Sequence, residues 1–195
     1  MNSLDTTILE KAFTLLDGRL RLSGQAPIHL VVCGGSALIL TGLVKRTTRD
    51  VDVVALQSIS GDLVSSKRLP DGLIVEVRQI ARDLDLDEKW LNSGPADIFT
   101  MGLPKGFAQR LTTRSFGSHL QVSFISRLDQ IHFKVYAAVD LPGRHSEDLL
   151  ILKPTEQEME MAARWAVTHD VSEEYRTVLK DMLRVLGYES VAEKL

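Results

Sequence analysis

A short apolar run that ends directly in two glycines is the feature that most limits the fold of this chain. Residues 29–33 read His-Leu-Val-Val-Cys, and Gly34-Gly35-Ser36 follow at once. An almost wholly apolar run of this length is typical of a strand that is covered on both faces. The next four residues, Ala-Leu-Ile-Leu, favour a helix that Gly42 closes. The segment therefore predicts a buried strand, a tight turn and a helix in direct succession.

The glycine turn, defined as residues 34–36, has two interpretations. Two glycines let the backbone approach a ligand closely, and the start of a helix presents unpaired N–H groups and a partial positive charge. With the hydroxyl of Ser36 as a further donor, Gly34 and Gly35 would form a cradle for phosphate groups. The plainer interpretation is an ordinary tight turn with no ligand.

A pair of carboxylates marks the beginning of a second predicted strand, residues 50–56. Asp50 and Asp52 alternate with apolar residues, so both side chains are expected on one face, about 7 Å apart along the backbone. Two carboxylates on one face repel each other, and a divalent cation relieves that repulsion. Paired carboxylates suit Mg²⁺, which commonly binds substrate phosphates as well. The alternative is a strand end that is simply solvated.

Hydrophobic periodicity and capping residues predict the remaining elements. In the first part of the chain they are helices over residues 5–22 and 70–84, a turn or short helix at residues 90–92 and a hairpin within residues 109–126. Helices are predicted from Ser126 onward. One of these is opened by a capping box at Thr155, and another is capped by Ser172. This order predicts an α/β (α+β) fold, with a mixed sheet flanked by helices. We expect an α/β core over residues 1–125 and a helical extension over residues 126–195 that packs on it, or else one single domain.

Composition excludes several classes of protein. The chain has 195 residues, of which 44% are hydrophobic and 25% charged, values typical of a soluble globular protein. No apolar run approaches the roughly 18 residues that span a bilayer, and the N-terminus lacks the pattern of a signal peptide. Cys33 is the single cysteine, which excludes a disulfide scaffold and fits the cytoplasm. A net charge of −3 disfavours a strongly basic nucleic-acid binder but allows a local basic patch such as residues 45–49.

Taken together, these motifs resemble the nucleotidyltransferase superfamily, whose signature is a glycine turn after an apolar strand, a helix, and a strand with an Asp-x-Asp pair. The likeness is greatest to the minimal branch that resembles the AbiEii toxin. Residues 46–50, Arg-Thr-Thr-Arg-Asp, match its lead-in to the carboxylates, and Lys134 and the segment from Arg144 to Asp148 match its later motifs. The resemblance extends from about residue 28 to residue 187.

This resemblance implies a fold, an activity and a set of site residues. It implies a nucleotidyltransferase-like mixed sheet and Mg²⁺-dependent transfer of NMP from an NTP to a hydroxyl of a tRNA 3′ end, a protein or a small molecule. It also suggests a toxin with a cognate antitoxin. The residues expected to bind the nucleotide are Gly34, Gly35, Ser36, Arg46, Thr48 and Lys134. The residues expected to be catalytic are Asp50, Asp52, Lys134 and Asp148, the first two of which would also bind the metal.

One departure from the superfamily pattern leaves alternatives open. Many members carry a third carboxylate on a later strand as general base, whereas residues 120–124, Leu-Gln-Val-Ser-Phe, contain no acid. Asp148 is the expected substitute, although Asp148 and Lys134 also fit a helix-start charge and a solvated lysine. The alternative functions are a non-catalytic member that binds a nucleotide or a partner, and a metal-dependent phosphohydrolase.

Overall fold

The protein is described by a computed structural model that covers residues 2–195. The chain divides into two compact units, one that ends at Ile125 and one that begins at Ser126. The first unit contains a mixed sheet and the second is helical. The predicted α/β fold class is thereby confirmed.

The sheet of the first unit is built from six strands within the described residues. They are β1 Ile28–Cys33, β2 Val51–Gln57, β3 Leu63–Ser65, β4 Leu91–Asn92, β5 Thr112–Ser115 and β6 Leu120–Phe124. The strand order is β3-β2-β1-β6-β5, and β4 pairs with the beginning of β2. β1 is antiparallel to β2 and parallel to β6, so it lies at the centre of the sheet. Its buried residues, 30–33, explain why this segment is apolar on both faces.

Four α-helices accompany this sheet in the described part of the first unit. They are α1 Thr6–Leu22, α2 Gly34–Leu40, α3 Asp71–Leu84 and α4 Ala96–Met101. α1 begins where the Asp5 carboxylate accepts a hydrogen bond from the backbone N–H of Ile8. α3 carries a strongly apolar stripe, and the backbone carbonyl of its Val77 accepts a 2.9 Å hydrogen bond from the fully buried Trp90.

The second unit consists of five helices among the described residues. They are α5 Arg127–Asp140, α6 Pro142–Leu152, α7 Glu156–Ala166, α8 Glu173–Val185 and α9 Glu189–Glu193. The predicted capping box at Thr155 is confirmed, because its side chain and that of Glu158 cap the start of α7 reciprocally. Ser172 caps α8, also as predicted. Trp165 forms the aromatic centre of this unit, with its ring stacked on Phe133 at 5.8 Å.

Three short elements differ from the sequence predictions. Residues 90–92 were expected to form a turn or short helix, but Leu91 and Asn92 form strand β4 beside β2. The pattern also gave no indication of β3 or α4, which have three and six residues. Elements this short contain too few residues to show a period. Between residues 2 and 195, none of the helices combines the length and the apolar character needed to cross a lipid bilayer.

Candidate functional site

The glycine turn lies directly against the second carboxylate of β2. Cys33, the last residue of β1, pairs in register with Asp52. Gly34 follows with φ at +70°, and a Cβ atom at this position would lie 2.5 Å from Oδ2 of Asp52. Only glycine combines that backbone angle with such a close approach. The strand–turn–helix unit therefore positions a carboxylate oxygen on the backbone of the turn.

The second glycine is enclosed by the basic loop that precedes β2. A Cβ atom on Gly35 would lie 2.7 Å from Oγ1 of Thr48 and 3.2 Å from Nη2 of Arg46. Thr48 is buried, and its hydroxyl donates to Oδ1 of Asp50 at 3.4 Å. The structure thus brings Gly34, Gly35, Arg46, Thr48, Asp50 and Asp52 together in one place.

Ser36 has a different environment from its neighbours. Its side chain is fully buried, and the hydroxyl donates to the backbone carbonyl of Cys33 at 3.5 Å. Helix α2 begins at Gly34 instead of after Ser36, so the whole glycine turn belongs to its first turn. Gly35 is buried as well and Gly34 is half-buried, and binding of a phosphate group by the backbone of this turn stays a prediction. Binding through the Ser36 hydroxyl stays a prediction.

The donor atoms at the start of β2 fit a hard divalent cation. Asp50 and Asp52 are both half-buried and supply carboxylate oxygens, the ligands that Mg²⁺ prefers. Within residues 2–195, no group of three or more His, Cys, Asp or Glu side chains is arranged to hold a metal ion. The protein would therefore contribute two carboxylates, and water and substrate phosphates would complete the coordination, which is the usual arrangement for Mg²⁺.

A cleft of about 780 Å³ opens beside Asp50. Its lining includes Arg49 from the basic loop, Asp87 and Lys89 from the segment before β4, and Asn92 and Ser93 at the end of β4. This volume is within the usual range for small-ligand sites, roughly 300–1,000 Å³. No sequence pattern predicts a role for Asn92 or Lys89, because their position in space depends on the two-residue strand β4.

Lys134 and Asp148 form a buried ion pair in the second unit. Nζ of Lys134 lies 2.8 Å from Oδ2 of Asp148, and the two side chains are only 7% and 2% exposed. Nζ is also 3.5 Å from Nδ1 of His145. The alternatives of a solvated lysine and a helix-start charge are therefore wrong, since both groups are buried and Asp148 lies inside α6. Their assignment to nucleotide binding and catalysis stays a prediction.

Strand β6 carries a buried serine in place of a strand-borne acid. The hydroxyl of Ser123 is hydrogen-bonded at 2.7 Å to Nε2 of His29 and at 2.7 Å to Oγ1 of Thr113. Burial lowers the pKa of His29, since a charged imidazole would be poorly solvated there. This polar cluster is satisfied within the sheet.

Comparisons with known proteins bear on the fold and on the family. A solved structure titled an antigenic nucleotidyltransferase-like protein, from Paracoccidioides brasiliensis, superposes with a TM-score of 0.50. The two chains are 16% identical, and the alignment covers 99% of this chain and 95% of that one, a likeness that concerns the fold alone. No curated protein matches. The sequence model of a family described as "Nucleotidyltransferase of unknown function (DUF6036)" matches residues 10–141. The chain therefore belongs to this nucleotidyltransferase family.

Proposed function

We propose that the protein is a Mg²⁺-dependent nucleotidyltransferase that transfers NMP from an NTP to a hydroxyl acceptor. The observation that carries this proposal is the convergence of the glycine turn on Asp52, with the Cβ position of Gly34 2.5 Å from a carboxylate oxygen. Backbone N–H groups that can bind phosphate and a pair of carboxylates that can bind a metal thus lie side by side. Membership of the family supports the same class of reaction.

The reaction uses these groups in a simple division of roles. The acceptor oxygen forms a bond to the α-phosphorus of the NTP, while the bond from that phosphorus to the bridging oxygen breaks. Pyrophosphate leaves with the electron pair, and the proton of the acceptor hydroxyl passes to a carboxylate, Asp52 or Asp148. Bound Mg²⁺, held by Asp50 and Asp52, would neutralise the negative charge of the triphosphate. The backbone of residues 34–36 and the guanidinium of Arg46 bind the β- and γ-phosphates.

Lys134 and Asp148 complete the proposed set of functional residues. Lys134 supplies positive charge to the nucleotide, and Thr48 holds Asp50 through its hydroxyl. The lead-in at residues 46–50 and the later motifs around these two residues are the basis for the resemblance to the AbiEii-like branch. That placement brings with it a cytoplasmic toxin with a cognate antitoxin as the biological role.

The test is a transfer assay with α-³²P-labelled NTP, Mg²⁺ and a pool of tRNA and protein. We expect a labelled acceptor with the unmodified protein and none with the double variant Asp50→Ala and Asp52→Ala. NTP binding measured by calorimetry at millimolar Mg²⁺ should fall in the same variant. Unchanged NTP binding in that variant would show that the metal assignment is wrong. Labelled free NMP without a labelled acceptor would indicate a phosphohydrolase instead.

A second candidate, a non-catalytic nucleotide-binding member, is favoured by one observation. β6 contains no acid, and the carboxylate of Asp148 is already paired with Lys134 at 2.8 Å. The Asp148 side chain is only 2% exposed, so an acceptor hydroxyl has little access to it. NTP binding that depends on Asp50 and Asp52, without transfer to any acceptor in the pool, would support this candidate. Absence of NTP binding would exclude both and would favour a non-catalytic member of the same fold that binds a partner.

A further inference from the structure

We propose that the cleft beside Asp50 binds the acceptor, that Asn92 positions it, and that the acceptor carries a phosphate group near its reactive hydroxyl. This inference rests on the proposed function and adds a substrate class and two residues to it. Its physical basis is the position of the cleft on β2, the fixed orientation of one side-chain amide and the presence of two unpaired cations.

The two edges of β2 at Asp52 face different neighbours. Asp52 pairs with Cys33 of β1 and also with Asn92 of β4, so these partners lie on opposite edges of the strand. The glycine turn follows β1, whereas the cleft is formed around the end of β4. Of the described residues that line the cleft, none belongs to the glycine turn. The carboxylate pair therefore separates a phosphate-binding side from a cleft side.

Because the transfer is in line, the phosphate-binding side and the cleft side of the carboxylate pair would bind different substrates. The attacking oxygen and the leaving pyrophosphate lie on opposite sides of the α-phosphorus. With the leaving phosphates on the glycine turn, the acceptor must approach from the β4 side of Asp50 and Asp52. The cleft is located there and has room for a ligand of nucleotide size, at about 780 Å³.

The amide of Asn92 is held in one orientation. Its Oδ1 accepts a 2.7 Å hydrogen bond from the backbone N–H of Gly94, so Nδ2 must occupy the other position. A Cβ atom on Gly94 would lie 2.9 Å from that same oxygen, so a larger residue at this position would displace the Asn92 amide. Nδ2 makes no hydrogen bond to any residue between 2 and 195, and Asn92 is half-buried in the cleft wall. A pre-oriented donor of this kind suits an oxygen of the acceptor.

The charges of the cleft favour an anion. Arg49 and Lys89 are exposed and form no ion pair with any residue that the structure describes. Of the two acids, Asp50 belongs to the proposed metal pair, whose bound cation would neutralise it, so that Arg49 and Lys89 face the single carboxylate of Asp87, which accepts the backbone N–H of Lys89 at 2.8 Å. The two cations can therefore bind a phosphate beside the hydroxyl, as found in a mononucleotide, in a sugar phosphate or at the end of an RNA strand.

Two variants separate the donor and the charge. Asn92→Asp keeps an oxygen for the Gly94 N–H but replaces the donor with a carboxylate, and Lys89→Ala removes one cation. Lys11→Ala, on the exposed face of α1, is the matched charge control. The probes are AMP, adenosine as the form without phosphate, and a short fluorescein-labelled single-stranded RNA. Their dissociation constants are measured by titration, with those of a non-hydrolysable NTP and the melting temperature of each variant recorded alongside.

We expect Asn92→Asp and Lys89→Ala each to weaken AMP or RNA binding by about tenfold or more, with NTP binding within about twofold and Lys11→Ala unchanged. Tighter binding of AMP than of RNA would identify a small acceptor, and the reverse an RNA end. Equal binding of adenosine and AMP, or unchanged affinity for AMP and RNA in both variants, would overturn the proposed acceptor site. The proposed function would still stand in that case if NTP binding depends on Asp50. If the unmodified protein does not bind the NTP at all, the proposed function itself is refuted.

Discussion

The buried pair of Lys134 and Asp148 allows a direct test of how these charges contribute to the second unit. The charged atoms are 2.8 Å apart, with the side chains 7% and 2% exposed. Lys134→Met keeps most of the aliphatic side chain but leaves the carboxylate buried without its cation. Because a buried carboxylate that loses its cation is poorly solvated, removal of the lysine typically lowers the free energy of unfolding by about 3–5 kcal/mol.

Replacement of both charges should behave very differently. In the double variant Lys134→Met and Asp148→Leu, no charge is left without a partner, and such replacements are often neutral or stabilising by about 1–4 kcal/mol. Arg184→Met, which removes an exposed pair with Asp181 on α8, is the control and should change the free energy by about 1 kcal/mol or less.

The assay is urea unfolding of the full chain at 25 °C, followed by circular dichroism, with NTP binding measured on the same variants. A loss below about 1 kcal/mol for Lys134→Met would refute the reasoning, because it would mean that water solvates the carboxylate. A double variant as unstable as the single one would also refute it. A stable double variant that no longer binds NTP would instead give the pair a functional role that stability does not explain.

Three further predictions concern the glycine turn and two titrating groups. Gly34→Ala should weaken NTP binding at least about tenfold, because the new Cβ atom would displace the carboxylate of Asp52. Gly42→Ala is the control, since Gly42 has a similar φ of +73° but no neighbour within 4 Å. It should lower the free energy of unfolding by the backbone strain of about 1–2 kcal/mol and leave NTP binding unchanged. The hydrogen bond and charge of Arg127 lower the pKa of Glu158. The stability that this group contributes is therefore present above its usual pKa and lost as the pH falls below it. Glu158→Gln should make stability less dependent on pH in that acid range. Burial lowers the pKa of His29, so stability should fall as the pH drops below about 6.5, and His29→Gln should remove that dependence.

Each of these predictions has an outcome that contradicts it. Equal effects of the alanine substitutions at Gly34 and Gly42 on NTP binding would mean that the contact with the carboxylate is unimportant. An acid unfolding profile unchanged by Glu158→Gln would show that the pair with Arg127 contributes nothing at low pH. A flat profile between pH 5 and pH 7 in the unmodified protein would contradict the assignment to His29.

The long periodic segments could be predicted from sequence, and the pairing of short ones could not. Apolar spacing was enough for α1 and α3, because each repeats its period several times, and an unbroken apolar run was enough for β1. β4 contains two residues, and its existence depends on hydrogen bonds to β2, which lie far away along the chain. The same reason applies to Asn92, whose place beside Asp52 follows from that pairing alone.

The candidate site divides in a similar way. The glycine turn and the Asp-x-Asp pair are local patterns whose chemistry can be inferred from residue type. Their contact requires the antiparallel register that sets Cys33 opposite Asp52, and no local pattern specifies a register. The burial of Lys134 was likewise invisible, because the packing of α6 on α5 determines whether a lysine on an amphipathic helix meets water or a carboxylate.

The central place of β1 also sets the order in which the first unit can fold. β1 pairs in parallel with β6, so Ile28 meets Leu120 only after most of the first unit has been made. Pairing between strands so distant along the chain is slow, because the long loop must close before the contact can stabilise it. During synthesis, one edge of β1 would therefore stay unpaired until β6 leaves the ribosome, whereas the pairing with β2 that sets Gly34 against Asp52 joins segments made much earlier.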